Sequence, residues 1–159
     1  MTDKAAFNAE EWSTLVEAPA LVALRVIAAE RGGTLRESLS LGRAYAEARQ
    51  AQGGDLLEAI VSSAPEIDRE GLQDPEGLNA RTDAVLREAL GLVESKATPE
   101  EVEAYRKFVL GVGDTVAHAH REGGFLGIGG KEVSEGEQAV LDDVAKTVGS
   151  RGLTPPDPR

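Results

Sequence analysis

Cysteine is absent from all 159 residues of this chain. That excludes disulfides, thiolate nucleophiles and cysteine-ligated zinc or iron–sulfur centres, and it removes the usual clue to redox compartment. Aromatic residues make up only 4% of the chain, and no window shows the alternation of β-branched and polar residues that a half-buried strand requires. Basic residues are also scarce, 17 against 28 acidic ones, for a formal charge of −11 spread along the sequence. Phosphate backbones bind through a basic face that displaces counterions, so neither nucleic acid nor an anionic membrane surface is an expected partner. No apolar run approaches the roughly 18 positions that a membrane span needs, and residues 1–11 carry one lysine and no apolar stretch. The expectation is a cytoplasmic protein whose acidic surface suits solubility, cations or a basic protein partner.

What is abundant is alanine, leucine, glutamate and arginine, all strong helix formers. Composition and periodicity together predict an all-α protein: a single-domain bundle of about seven helices in orthogonal or mixed packing, spanning residues 1–149, with an extended tail over 150–159. A first helix is expected from Ala9 to Glu17, with Trp12, Leu15 and Val16 inward. Pro19 is read as the first residue of a second helix, where its missing N–H costs nothing, running through Leu21, Leu24 and Ile27 to Arg31. Thr34 caps a third, which Gly53-Gly54 ends, and Asp55 caps a short fourth with Leu56, Leu57, Ile60 and Val61 on one side. The stretch PEIDREGLQDPEGL, residues 65–78, reads as a long acidic connection.

A fifth helix is expected over Asn79 to Lys96, with Val85, Ala89, Leu92 and Val93 as its stripe. TPEE at residues 98–101 supplies a threonine cap, a proline at the first helical position and acids at the positive end of the helix dipole. The sixth helix that follows places Val102, Tyr105, Val109, Val112 and Val116 at alternating spacings of three and four, one seam over four turns, and is expected to be central. Ser134 and Glu137 form a capping box for a seventh helix, with Val140, Leu141, Val144 and Val148 inward and Gly149 at its end.

The glycine-rich stretch GGFLGIGGK, residues 123–131, invites a phosphate-binding reading. A phosphate loop needs glycine where Phe125 stands and a serine or threonine after the lysine, where Glu132 stands, so the motif fails twice. A dinucleotide-binding pattern started at Gly127 and Gly129 puts Glu132 in the third glycine position. What remains is a connection carrying Phe125, Leu126 and Ile128, too apolar to be left in water. These three side chains are the candidate interaction residues, filling a gap between helices or presented to a protein partner or a second copy.

Other motifs carry less chemistry. His118 and His120 lie two apart, on nearly opposite sides of a helix, so one ion cannot take both; Asp114, His118 and Glu122 share a face by four-residue spacing. Glu66, Asp68, Glu70 and Gly71 follow the early positions of a calcium-binding loop, whose twelfth position should be a bidentate glutamate. Gly77 stands there, with Glu76 one residue early. Paired carboxylates are too plentiful to single out a catalytic pair, and no nucleophile–base signature is present, so neither an enzyme nor a cofactor is expected.

Residues 129–149, GGKEVSEGEQAVLDDVAKTVG, resemble the closing helix of TerB-like tellurite-resistance proteins, whose pattern is Asp-Gly, two residues, serine, two residues, glutamate. Val133, Ser134 and Glu137 fall on it, and Gly130-Lys131 replaces the Asp-Gly pair. A second, more divergent copy is VALRVIAAERGGTLRESLSL, with Gly32 for the aspartate and Leu39 for the glutamate. The resemblance implies an all-helical domain linked to metal or oxyanion stress; the family's acidic residues are associated with metal ions, and loss of the aspartate leaves no metal ligand to assign here. The leading expectation is a non-enzymatic helical protein acting by association, with a calcium-type cation protein using residues 66–76 as the alternative.

Overall fold

Asn8 and Glu11 open the bundle. The Glu11 amide donates to Asn8 Oδ1 at 2.8 Å and the Asn8 amide donates to Glu11 Oε2 at 2.9 Å, a reciprocal capping box that fixes where the first long helix begins. In the computed structural model, which describes residues 2–29, 45–47, 50, 54–63, 74–122 and 135–150, five α-helices follow a 3-10 turn at Lys4–Ala6. They are α1 (Ala9–Ala29), α2 (Asp55–Ser62), α3 (Pro75–Lys96), α4 (Pro99–Glu122) and α5 (Glu135–Ser150). Among the described residues there is no strand, and the helices share one apolar core, so the fold is an all-α bundle. The expected third helix falls largely outside the described residues; residues 45–47 are helical.

Two of the expected helices are one. α1 runs through Pro19 without a break. A proline inside a helix removes a hydrogen bond and crowds the carbonyl four residues back, at a typical cost of about 3 kcal/mol. Here that carbonyl belongs to Leu15, and the hydroxyl of Tyr105 on α4 donates to it at 2.9 Å. The neighbouring helix thus supplies the donor that proline lacks. Every residue from Leu15 to Ala23 is buried, so the proline sits within the buried stretch of α1. The inward face also differs from expectation: Val22 and Val26 are fully buried, while Leu24 and Ile27 lie at the margin of the core.

α4 was expected to be the hub, and it shares that place with α1, since each packs against all four other helices. Its seam is as expected, with Val102, Tyr105, Val109, Val112 and Val116 all buried. The Thr98 box forms too: Glu101 Oε2 accepts from the Thr98 amide at 2.9 Å and Thr98 Oγ1 accepts from the Glu101 amide at 3.3 Å. α3 begins earlier than expected, because Asp74 caps it through the Gly77 amide and Pro75 occupies its first position. The end of the supposed acidic connection is therefore helix. At α2 the cap is Gly54, with φ of 88°, and Asp55 is already inside the helix. Gly149 does not terminate α5, which continues to Ser150.

Glycine has a packing role at one point of α4. A Cβ at Gly113 would come 3.0 Å from Leu141 Cδ2 on α5 and 3.3 Å from Val22 Cγ1 on α1, whereas one at Gly111 would meet nothing within 4 Å. Gly111→Ala is therefore expected to stabilise the protein by about 0.5–1 kcal/mol, from the helix propensity alone. Gly113→Ala should forfeit that gain to overpacking, which typically costs about 1–3 kcal/mol. Urea midpoints check this pair, and equal midpoints would mean that the three helices are not in close contact at Gly113.

Candidate functional site

The described polar groups gather at two places. One is the corner where α3 turns into α4 and meets the start of the chain. Glu101, only 8% exposed, accepts the Thr2 amide on Oε1 at 2.8 Å in addition to its capping bond on Oε2. Burial works against its ionised form, but the hydrogen bonds from Thr2 and Thr98 outweigh it, and the carboxyl is held below the ordinary glutamate range. Beside it, Lys96 Nζ donates to Glu11 Oε2 at 2.7 Å and to the Ala6 carbonyl at 3.1 Å. The Lys96 bond and the Asn8 amide hold Glu11 low in the same way. Each capping glutamate thus serves twice, closing its own helix and tying a distant segment to it.

The second place is the junction of α1, α3 and α5. Arg25 on α1 donates from Nε to Asn79 Oδ1 at 2.8 Å and from Nη2 to Asp143 Oδ2 at 2.6 Å. Thr147 on α5 donates to Asp83 Oδ1 on α3 at 3.2 Å. Arg81 Nη2 also meets Glu17 Oε1 at 2.7 Å, joining α3 to the nearly buried carboxylate of α1. These bonds satisfy charges that burial would otherwise penalise, and they fix the rotation of α1 against two neighbours. Chemically they are spent: donors and acceptors face each other across helices.

A third buried feature is aromatic. Tyr45 packs edge-on against Phe108, with ring centroids 5.3 Å apart, while Thr115 Oγ1 donates to Glu47 Oε2 at 3.5 Å, so residues 45–47 lie along α4. Burial pushes the Tyr45 phenol up to about 12 and raises that of Tyr105 as well, where the nearby Tyr45 adds to the effect.

The candidate interaction residues Phe125, Leu126 and Ile128 lie outside the described residues, as do Glu66, Asp68, Glu70, Gly71 and Ser134. Glu76 is exposed in the first turn of α3, and the Gly77 amide is engaged by Asp74. Asp114 is exposed on α4; His118, His120 and Glu122 belong to the same continuous helix, so the four-residue spacing that aligns 114, 118 and 122 holds along its backbone. Among the described residues, no three of His, Asp and Glu gather closely enough to hold a metal ion, and no helix is long and apolar enough to cross a membrane.

The Asn8–Glu11 box has a local signature, N-x-x-E ahead of an apolar run, that apolar periodicity alone passes over. The pairing of Tyr105 with Leu15 has no local signal at all. Compared with known protein families, characterised proteins and solved structures, the chain finds no match.

Proposed function

We propose that this is a non-enzymatic helical protein that acts by associating with a protein partner or with itself, through the segment that carries Phe125, Leu126 and Ile128. The observation that carries this reading is where that segment falls. It joins Glu122, the last residue of α4, to Glu135, the first of α5, and these two helices pack against each other and against α1. Three large apolar side chains in a short glycine-rich stretch thereby join two helices of the shared core. Burying each is worth roughly 1.5–3 kcal/mol, enough to drive either docking or association. The surplus of acidic residues favours a basic partner and disfavours nucleic acid and anionic membranes. The likeness of residues 129–149 to TerB-like proteins directs the reading toward metal or oxyanion stress in the cytoplasm.

The test is the triple change Phe125→Ser, Leu126→Ser and Ile128→Ser, followed by sedimentation and by urea unfolding. Association predicts a loss of assembly with the unfolding midpoint preserved. A fall in midpoint with assembly intact would instead assign the three side chains to the core of the bundle, and no change in either would remove both roles. Growth of a deletion strain under tellurite or metal stress checks the physiological link.

A further inference from the structure

We propose that residues 2–8 form a releasable strap, latched by Glu11 and Glu101 to the corner of α3 and α4, and that its detachment ahead of bundle unfolding uncovers Trp12. The strap has little structure of its own. It contains one 3-10 turn, held by Asp3 accepting from the Ala5 amide, and residues 3–6 are exposed. Only Thr2 and Phe7 are buried. Three polar ties reach from it to α3 and α4: the Thr2 amide to Glu101 at 2.8 Å, Thr2 Oγ1 to the Lys96 carbonyl at 3.4 Å, and Lys96 Nζ to the Ala6 carbonyl at 3.1 Å. Glu11 keeps Lys96 in place for that last tie at 2.7 Å. Segments with few buried apolar contacts and many polar ties are those that open locally while the core stays folded.

What the strap covers is specific. Phe7 lies 6.1 Å, centroid to centroid, from Trp12, and Lys4 Nζ sits 5.3 Å above the indole. Lys96 Nζ lies 5.5 Å from the centroid of the Phe7 ring, so the cation that pairs with Glu11 also clamps Phe7. Trp12 is only 7% exposed with the strap in place. Phe7 and Trp12 are the first members of the shared apolar core along the chain, and the continuous buried run of α1 begins one turn later, at Leu15.

Acid is the trigger the latches imply. Glu101 faces Thr98, which caps α4, and Thr2 on the strap; Glu11 faces Lys96 on α3 and its own Asn8. Asp3 and Lys4 on the strap, and Glu10 and Glu100 beside the latches, are exposed. Both latch carboxyls lie below the ordinary value of 4.5, so the ties persist through mildly acid conditions and are lost as pH falls through the lowered values.

Trp12 is the sole tryptophan and reports on its own cover. In an acid titration of the full chain, its emission should shift to the red and its quenching by acrylamide should rise below pH 4.5, while far-ultraviolet helicity is retained until lower pH. The double variant Glu11→Gln, Glu101→Gln should show the uncovered emission already at neutral pH, with helicity preserved. Coincident emission and helicity transitions in the unaltered protein would overturn the strap. Separate transitions, with the double variant still covered at neutral pH, would overturn the two glutamates as its latches.

Discussion

Replacing Tyr105 by phenylalanine is expected to cost about 1–3 kcal/mol of unfolding free energy, the usual penalty for stranding a buried polar group. Alanine at the same position should cost about 3–5 kcal/mol, because the fully buried ring is lost as well. The group stranded by Tyr105→Phe is the Leu15 carbonyl, which Pro19 cannot serve from within α1 and which receives the Tyr105 hydroxyl at 2.9 Å. A double-mutant cycle isolates this arrangement. Pro19→Ala returns an amide to the helix and gives Leu15 a local partner, so the penalty of Tyr105→Phe should shrink in that background by about 1 kcal/mol, as for residues sharing one hydrogen-bonding group. Strict additivity of the two changes would show that tyrosine and proline are not compensating each other. Alkali offers an independent readout. Burial raises the phenols of Tyr105 and Tyr45 above their ordinary 10.0, that of Tyr45 to about 12. A raised folded-state value means that the stability tied to the neutral phenol is complete below pH 10 and is lost as pH rises through the folded value. Urea unfolding followed from pH 9 upward should therefore show a falling limb that is shallower in Tyr105→Phe.

Pro19 also shows where local signals stop being sufficient. A proline after a short amphipathic stretch reads as a helix start, because the first turn has no use for the missing N–H. The structure resolves the same missing donor differently, with a hydroxyl from a helix 90 residues further along the chain. The same divide runs through the rest of the fold. The Thr98–Glu101 box and the seam from Val102 to Val116 were legible because their partners lie three or four residues away. Asp74-Pro75 carries an equally local signal, a cap followed by a first-turn proline, but the surrounding charges make it read as part of an acidic connection. Thr2 with Glu101 and Arg25 with Asp143 span 99 and 118 residues, and nothing in the periodicity of either segment announces them. The candidate interaction residues rest on a different signal, apolar side chains in a stretch too rich in glycine for a helix, and Phe125, Leu126 and Ile128 fall outside the described residues.

The continuity of α1 has a second large expected consequence for stability. Leu21 is fully buried near its middle, flanked by Ala20 and Val22, while Leu24 lies at the edge of the core. Had the chain broken at Pro19 and restarted as a separate helix, Leu21, Leu24 and Ile27 would form one inward stripe and truncation of either leucine would cost much the same. In one uninterrupted helix that packs on all four others, a cavity at Leu21 is walled by several elements that cannot all move inward. Leu21→Ala is accordingly expected to cost about 2–5 kcal/mol, a large share of the roughly 5–15 kcal/mol that holds a domain together, and to lower the melting temperature on the order of 10 °C. Leu24→Ala, with part of its side chain already in water and room for neighbours to settle, should cost less than half as much. Thermal unfolding of the two variants side by side decides it. Equal losses would place Leu24 inside the core and contradict the register that carries α1 past its proline.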